Sequence, residues 1–325
     1  MPSPGLLADI GGTHARFALA GPGPAQPLLA DSVRTYQVDA FDSLAAAAGH
    51  DLAEVDARPV RAVMAVAARI DGGTARMTNH RWVVSAARLR EELALDSVTL
   101  VNDFVAQARA MPQLGAGDLA MIGSPVAPSA DDGGDRTFAV AGAGTGLGVG
   151  VLLRRDGRWS ALATEGGHAG FAPATPGEIA ILEELAAEFG RVSNERLISG
   201  AGLVNLHRAL ARIDGDAQAE VPSPEAITAG AAAGDPRSQR TVDTFRDVFA
   251  SVAGDLVLTF GAWDGIYLSG GLVPVLLPAL RDPAFRWRFE AKGRYADAMA
   301  PVPVFAVLHP QPGLLGAAVV AGDLP

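Results

Sequence analysis

The sequence predicts a mixed α/β protein built as two related halves. Three observations predict it. At 325 residues, 49% of them hydrophobic, the chain can bury cores for about two domains. Strand-like apolar runs alternate with helical patterns over the first hundred residues. Two glycine-rich hairpins, LADIGGTHAR near the start and GAGTGLGVG near the middle, suggest one for each half.

Taken in order, LLADI, THARFALA, VRAVMAVAA and SVTLVND read as strands. Ala86 to Leu95 reads as a helix, and FVAQARAM after Asp103 as another. The stretch 123–136, GSPVAPSADDGGDR, is rich in turn residues and reads as a surface loop. A strand then enters the second glycine stretch and another leaves it, with Arg155-Asp156-Gly157-Arg158 as the next turn. Thr175-Pro176 starts a helix, a capping hydroxyl followed by proline at the first helical position, and Gly190 stops it. Ser223-Pro224-Glu225 repeats that signal, and a long helix covers Pro236 to Phe260. The buried strand GIYLSGG follows, then a strand, VPVFAVLH, and an apolar helix, GLLGAAVVAG.

Composition narrows the chemistry. The net charge is −10 without a Lys/Arg-rich block, which disfavours a nucleic-acid surface. Cysteine is absent, so disulfides, thiolate chemistry and cysteine-ligated zinc are excluded. Lys292 is the only lysine and sits in EAKGRY, so a Walker A loop is excluded too. No apolar run reaches membrane-spanning length, and the N-terminal MPSPGLLADIGG lacks a basic region, so a cytoplasmic protein is expected.

Asp9 stands at the end of a strand, directly against Gly11-Gly12. Alone, it reads either as the end of one hairpin strand or as a carboxylate facing the metal ion of a phosphate held on bare turn amides. In AVAGAGTGLGVGV the glycines at 142, 144, 146, 148 and 150 share parity, which strips one face of an extended strand. That face suits close packing against another element or the approach of a polyphosphate. A Rossmann fingerprint does not fit, because the spacing is wrong and the glycines lead into a strand. Asn102 or Asp103 could cap the helix beginning at Phe104; Asp103 could equally collect a proton as a general base. Glu165, His168 and Glu195 supply the acceptors and donors that hydroxyl-rich ligands need, although Glu165 and His168 also read as turn and surface residues.

The two hairpins and the strand ending in Ser269-Gly270-Gly271, in this order, resemble the actin-like ATPase (ribonuclease H-like) fold of sugar kinases, a two-domain α/β fold with an interdomain cleft. VNDFVAQA (101–108), TEGGHAGFAP (164–173), SNERLISGAGLVNL (193–206) and MTNHRW (77–82) are similar to the bacterial glucokinase family, and the match runs essentially end to end. The resemblance implies phosphoryl transfer from ATP with Mg²⁺ to the 6-hydroxyl of glucose, the first step of glycolysis. It implies Asp103 as base and Asn102, Glu165, His168, Glu195 and Asn79 as sugar contacts. Asp9 would position the metal. Gly11, Gly12, Thr13, Gly144, Thr145 and Gly146 would face the phosphates, and Gly270 and Gly271 would approach adenosine. A homodimer is expected, with neither nucleic acid nor membrane as partner. Another hexose or an amino sugar as substrate, or a non-catalytic sugar sensor, are the alternatives; a related kinase and repressor family carries a cysteine zinc motif that this chain lacks. The expected smaller domain is 1–112, with 304–325 returning to it, and the larger is 113–303.

Overall fold

The computed structural model describes residues 4–55, 58–77, 80–123, 133–216, 218 and 220–324. The chain forms two compact units. Met1–Leu114, Trp159–Ala163 and His309–Pro325 make the first; Gly115–Arg158 and Thr164–Leu308 make the second.

The chain begins with β1 (Leu6–Ile10), β2 (His14–Gly23), β3 (Gln26–Leu28), β4 (Arg34–Gln37) and α1 (Leu44–Glu54). Next come β5 (Arg61–Val66), β6 (Ile70–Asp71), β7 (Thr74–Arg76), β8 (Val83–Ser85), α2 (Ala86–Glu92), β9 (Ser97–Asn102) and α3 (Asp103–Ala110). It continues through β10 (Leu119–Met121), β11 (Arg136–Ala143), β12 (Leu147–Arg155), β13 (Arg158–Thr164), α4 (Pro176–Phe189), α5 (Gly200–Ile213), α6 (Pro224–Ala232) and α7 (Pro236–Phe260). Last are β14 (Gly265–Ser269), α8 (Leu272–Leu280), α9 (Pro283–Glu290), α10 (Ala296–Met299), β15 (Val304–Val307) and α11 (Pro312–Asp323).

In the first unit the strands run β3-β2-β1-β5-β9, with β4 also on β2. β1 is antiparallel to β2, while β1, β5 and β9 are parallel. Alternation along a strand sends neighbouring side chains to opposite faces. Leu6, Ala8 and Ile10 therefore join Phe17, Met64 and the α1 residues Leu44 and Ala47 in one core, while Leu7 and Val63 meet Leu314, Ala317 and Ala318 of α11. In register, Asp9 faces Ala65 and Val66 faces Asn102. Asp9 and Asn102 thus share the carboxyl edge of the parallel strands, two strands apart and on the order of 10 Å.

The second unit is built on a sheet of order β10-β15-β14-β11-β12-β13. The 25-residue α7 covers it, started by the Asp235 cap on the Ser238 amide and stopped by the left-handed Gly261. Its Phe245, Phe249, Val252 and Leu256 recur at helical spacing and enter the main core. The capping signals read from the sequence at Thr175, Ser223 and Gly190 all stand at helix ends.

One expectation is corrected. The strand in 304–325 does not return to the first unit with its helix: β15 pairs in parallel with β14 and antiparallel with β10 in the second sheet. All four of its residues are buried, as an interior strand requires. Of the two elements in 304–325, α11 alone packs on the first sheet. Most of the expected 123–136 loop lies outside the described residues, as does Asn79. Among the described residues, no helix is long and apolar enough to cross a membrane.

Candidate active site

In the first unit the site begins at the turn after β1. The Gly11 amide donates to the His14 carbonyl at 2.9 Å, closing the turn into β2. Neither Gly11 nor Gly12 takes the left-handed φ expected of a glycine hairpin. Their contribution is bareness: next to a Cβ placed on Gly11, the nearest neighbour is the His14 carbonyl oxygen, at 3.7 Å. Asp9 is 17% exposed and has the Arg16 guanidinium 3.5 Å away. Burial raises its carboxyl above the usual range, and Arg16 opposes that rise. The carboxylate also abuts Gly313, the second residue of α11.

Asn102 caps α3. Its Oδ1 accepts from the Phe104 and Val105 amides at 3.0 and 3.2 Å, and its Nδ2 donates to the Ala68 carbonyl at 3.3 Å. One amide hydrogen is left over from these bonds. Because Asn102 does the capping, Asp103 follows as the first helical residue, half-buried, where the helix N-terminus favours a negative charge.

In the second unit, Gly144-Thr145-Gly146 forms the turn between β11 and β12, with the Gly144 amide donating to the Gly146 carbonyl at 2.9 Å. Gly142 and Gly148 stand opposite each other across the hairpin. The Gly200 amide at the start of α5 donates to the Gly144 carbonyl at 2.8 Å. Gly270, at φ +93°, lies against the Ala143 backbone so closely that a Cβ would overlap it. Gly271 is the N-cap of α8 and offers no side-chain acceptor, and in the first turn the Val273 amide donates to the Gly270 carbonyl at 3.1 Å. Parallel pairing of β11 with β14 thus brings the second hairpin and the Gly270-Gly271 turn together.

Glu165 precedes the short 3₁₀ turn Gly166–His168. This turn lies on β12, where a Cβ on Gly167 would strike the Leu147 carbonyl. Glu195 reaches the same place: its Oε2 accepts from the Leu147 amide at 2.9 Å, and its Oε1 lies 3.9 Å from His168 Nδ1. The Gly170–Ser193 bridge and the Asn194 amide donating to the Ala169 carbonyl hold the two segments in register. His168 and Glu195 are therefore neighbours, beside the second glycine hairpin, and Glu165 is on the turn that carries His168. Sequence reading missed Gly313, Arg16, Gly200 and the Leu147 amide; of these, only the glycines left a visible mark in the sequence.

The residues suit ATP and Mg²⁺. Mg²⁺ keeps several waters and takes one or two carboxylates beside substrate phosphates. A part-buried Asp9 next to a bare turn is that kind of donor. No group of three or more metal-ligating side chains occurs among the described residues, and such a cage is not what a nucleotide-bound Mg²⁺ uses.

The family model for glucokinase matches residues 6–324. This chain belongs to the glucokinase family. A glucokinase from Stenotrophomonas maltophilia (strain R551-3) is 52% identical over 320 residues, covering 98% of this chain and 95% of that one. A crystal structure of glucokinase from an Antarctic psychrotroph superposes with a TM-score of 0.84 at 33% identity, covering both chains completely. A ROK family glucokinase from Streptomyces griseus, solved with glucose and AMPPNP, shares the fold at a TM-score of 0.67 and 20% identity, covering 98% of each chain. Membership of the glucokinase family makes the chain an ATP-dependent hexose kinase with a mixed α/β fold.

Proposed function

We propose that this member of the glucokinase family transfers the γ-phosphoryl group of ATP to the 6-hydroxyl of glucose, with Asp103 as general base. The sugar oxygen attacks the γ-phosphorus as its proton passes to the Asp103 carboxylate, and the bond to the β,γ-bridging oxygen breaks to release ADP. Glu165, His168 and Glu195 bind the other hydroxyls. Asn102 and Asn79 add sugar contacts, Asn102 through the amide hydrogen its capping bonds leave over. The side-chain-poor turns Gly11-Gly12-Thr13 and Gly144-Thr145-Gly146 face the phosphates, and Gly270 and Gly271 let adenosine approach the backbone. Mg²⁺, held from Asp9 directly or through water, supplies neutralisation of phosphate charge. The reading extends to an actin-like, ribonuclease H-like fold class, a cytoplasmic location and a homodimer.

The observation that carries the proposal is the placement of Asp103 at the end of β9: it is the half-buried first residue of α3, directly after the capping Asn102. Asp103→Asn should keep calorimetric glucose binding while kcat falls about 10²–10⁴-fold, as loss of a positioned base does. A near-wild-type kcat in a clean preparation would remove Asp103 from that role. A coupled assay across glucose, mannose, fructose and amino sugars tests the acceptor.

A further inference from the structure

We propose that the C-terminal helix α11 is a positioning element of the reaction, setting Asp9 and Asp103 through Gly313 and Gly316; this rests on the roles assigned above to the two carboxylates. A Cβ on Gly313 would lie 2.5 Å from Asp9 Cγ, 2.6 Å from Oδ2 and 2.7 Å from Oδ1. Real side chains do not approach that closely, so the carboxylate stands where only glycine allows it. Asp9 has little room to retreat, being short, part-buried and flanked by Arg16. Gln311, the N-cap of α11, makes no side-chain capping bond, so the carboxylate also faces the uncapped positive end of a 12-residue helix.

One turn later on the same face stands Gly316. A Cβ there would overlap the carbonyl oxygen of Ala106, with Ala106 Cα at 3.0 Å. Ala106 belongs to α3, an eight-residue helix whose first residue is Asp103. So short a helix moves as one piece, and the depth at which α11 meets Ala106 sets where Asp103 stands. Between the two glycines, the buried Leu314 anchors α11 on Leu7 and Val63 of the sheet. One helix face thus fixes the element behind each carboxylate. Gly313 and Gly316 are positioning residues.

The test is a double-mutant cycle between Asp9→Ala and Gly313→Ala, because residues that act through one another are not additive. The readouts are kcat/KM for MgATP, calorimetric MgADP and glucose binding, and Tm. Gly313→Ala should lower kcat/KM for MgATP by about 10²-fold, as a misplacement near 1 Å does. MgADP binding should weaken while glucose affinity holds. On the Asp9→Ala background the added methyl should change neither MgATP kinetics nor Tm, because the group it displaces is gone. An equal loss on both backgrounds, or unaltered MgATP kinetics in Gly313→Ala, would overturn the proposal. If Gly313→Ala does not fold, a folded Asp9→Ala/Gly313→Ala protein supports the contact and an unfolded one overturns it. Asp9→Ala alone separates the two levels: wild-type MgATP kinetics there would defeat the role of Asp9 itself.

Discussion

Glu195 shows how one side chain serves two purposes. Its Oε2 holds the Leu147 amide at the start of β12, while its Oε1 faces His168. A glutamine at this position keeps a carbonyl oxygen for Leu147 but loses the charge. Glu195→Gln should therefore weaken glucose binding by about 1.5–3 kcal/mol, the worth of a hydrogen bond to a charged group, and leave nucleotide affinity unchanged. Glu195→Ala also orphans the Leu147 amide and should disturb both ligands. Calorimetry on the two variants separates the roles, and equal nucleotide losses in both would count against a sugar-specific contact.

At the scale of the element, α1 is attached to the first sheet by a polar clasp. The fully buried Asp51 accepts from Arg34 Nε at 2.7 Å and Nη2 at 3.1 Å, and from the Tyr36 hydroxyl at 3.3 Å. Burial, then Glu54 and Asp51, push the Tyr36 phenol far above its ordinary value, so it stays a donor. Removing one partner of such a pair leaves a charge without compensation. Asp51→Ala should lower the stability by about 3 kcal/mol, the lower end of the range because Arg34 keeps some solvent access. Denaturant titration reads this loss, and the kinetic constants of the folded variant should match the wild type. A change in kcat as large as the change in stability would mean that α1 reaches the site.

For the whole molecule, pH dependence of stability has a named source in His207. It is 6% exposed, and burial, followed by the Arg237 charge, lowers its pKa from 6.5 against the opposing Asp235. The native state therefore binds this proton less readily than the unfolded chain. Its contribution to stability is complete above pH 6.5 and is lost progressively as pH falls from there through the lowered native value. His207→Gln should flatten that acid limb in thermal melts between pH 5 and 7.5, on the order of one proton's worth of slope. An unchanged limb would assign the acid sensitivity elsewhere.

Much of this molecule could be read residue by residue along the chain. The caps Thr175 and Ser223, the stop at Gly190, both glycine hairpins and the order of the motifs all rest on backbone preferences expressed within a few residues. The cap at Asn102 was legible too, as one of two candidates, and the fold shows its side chain accepting from the Phe104 and Val105 amides. The placement of β15 was not legible, since a short apolar strand carries no label for the sheet it enters. The pairing of Glu195 with Leu147 and of Asp9 with Gly313 was not legible either. Helix caps and turns are local agreements between a side chain and its own backbone, so the sequence by itself determines them. Which carboxylate lies against which glycine depends on how sheets and helices close-pack across the whole chain, and only the tertiary structure decides that.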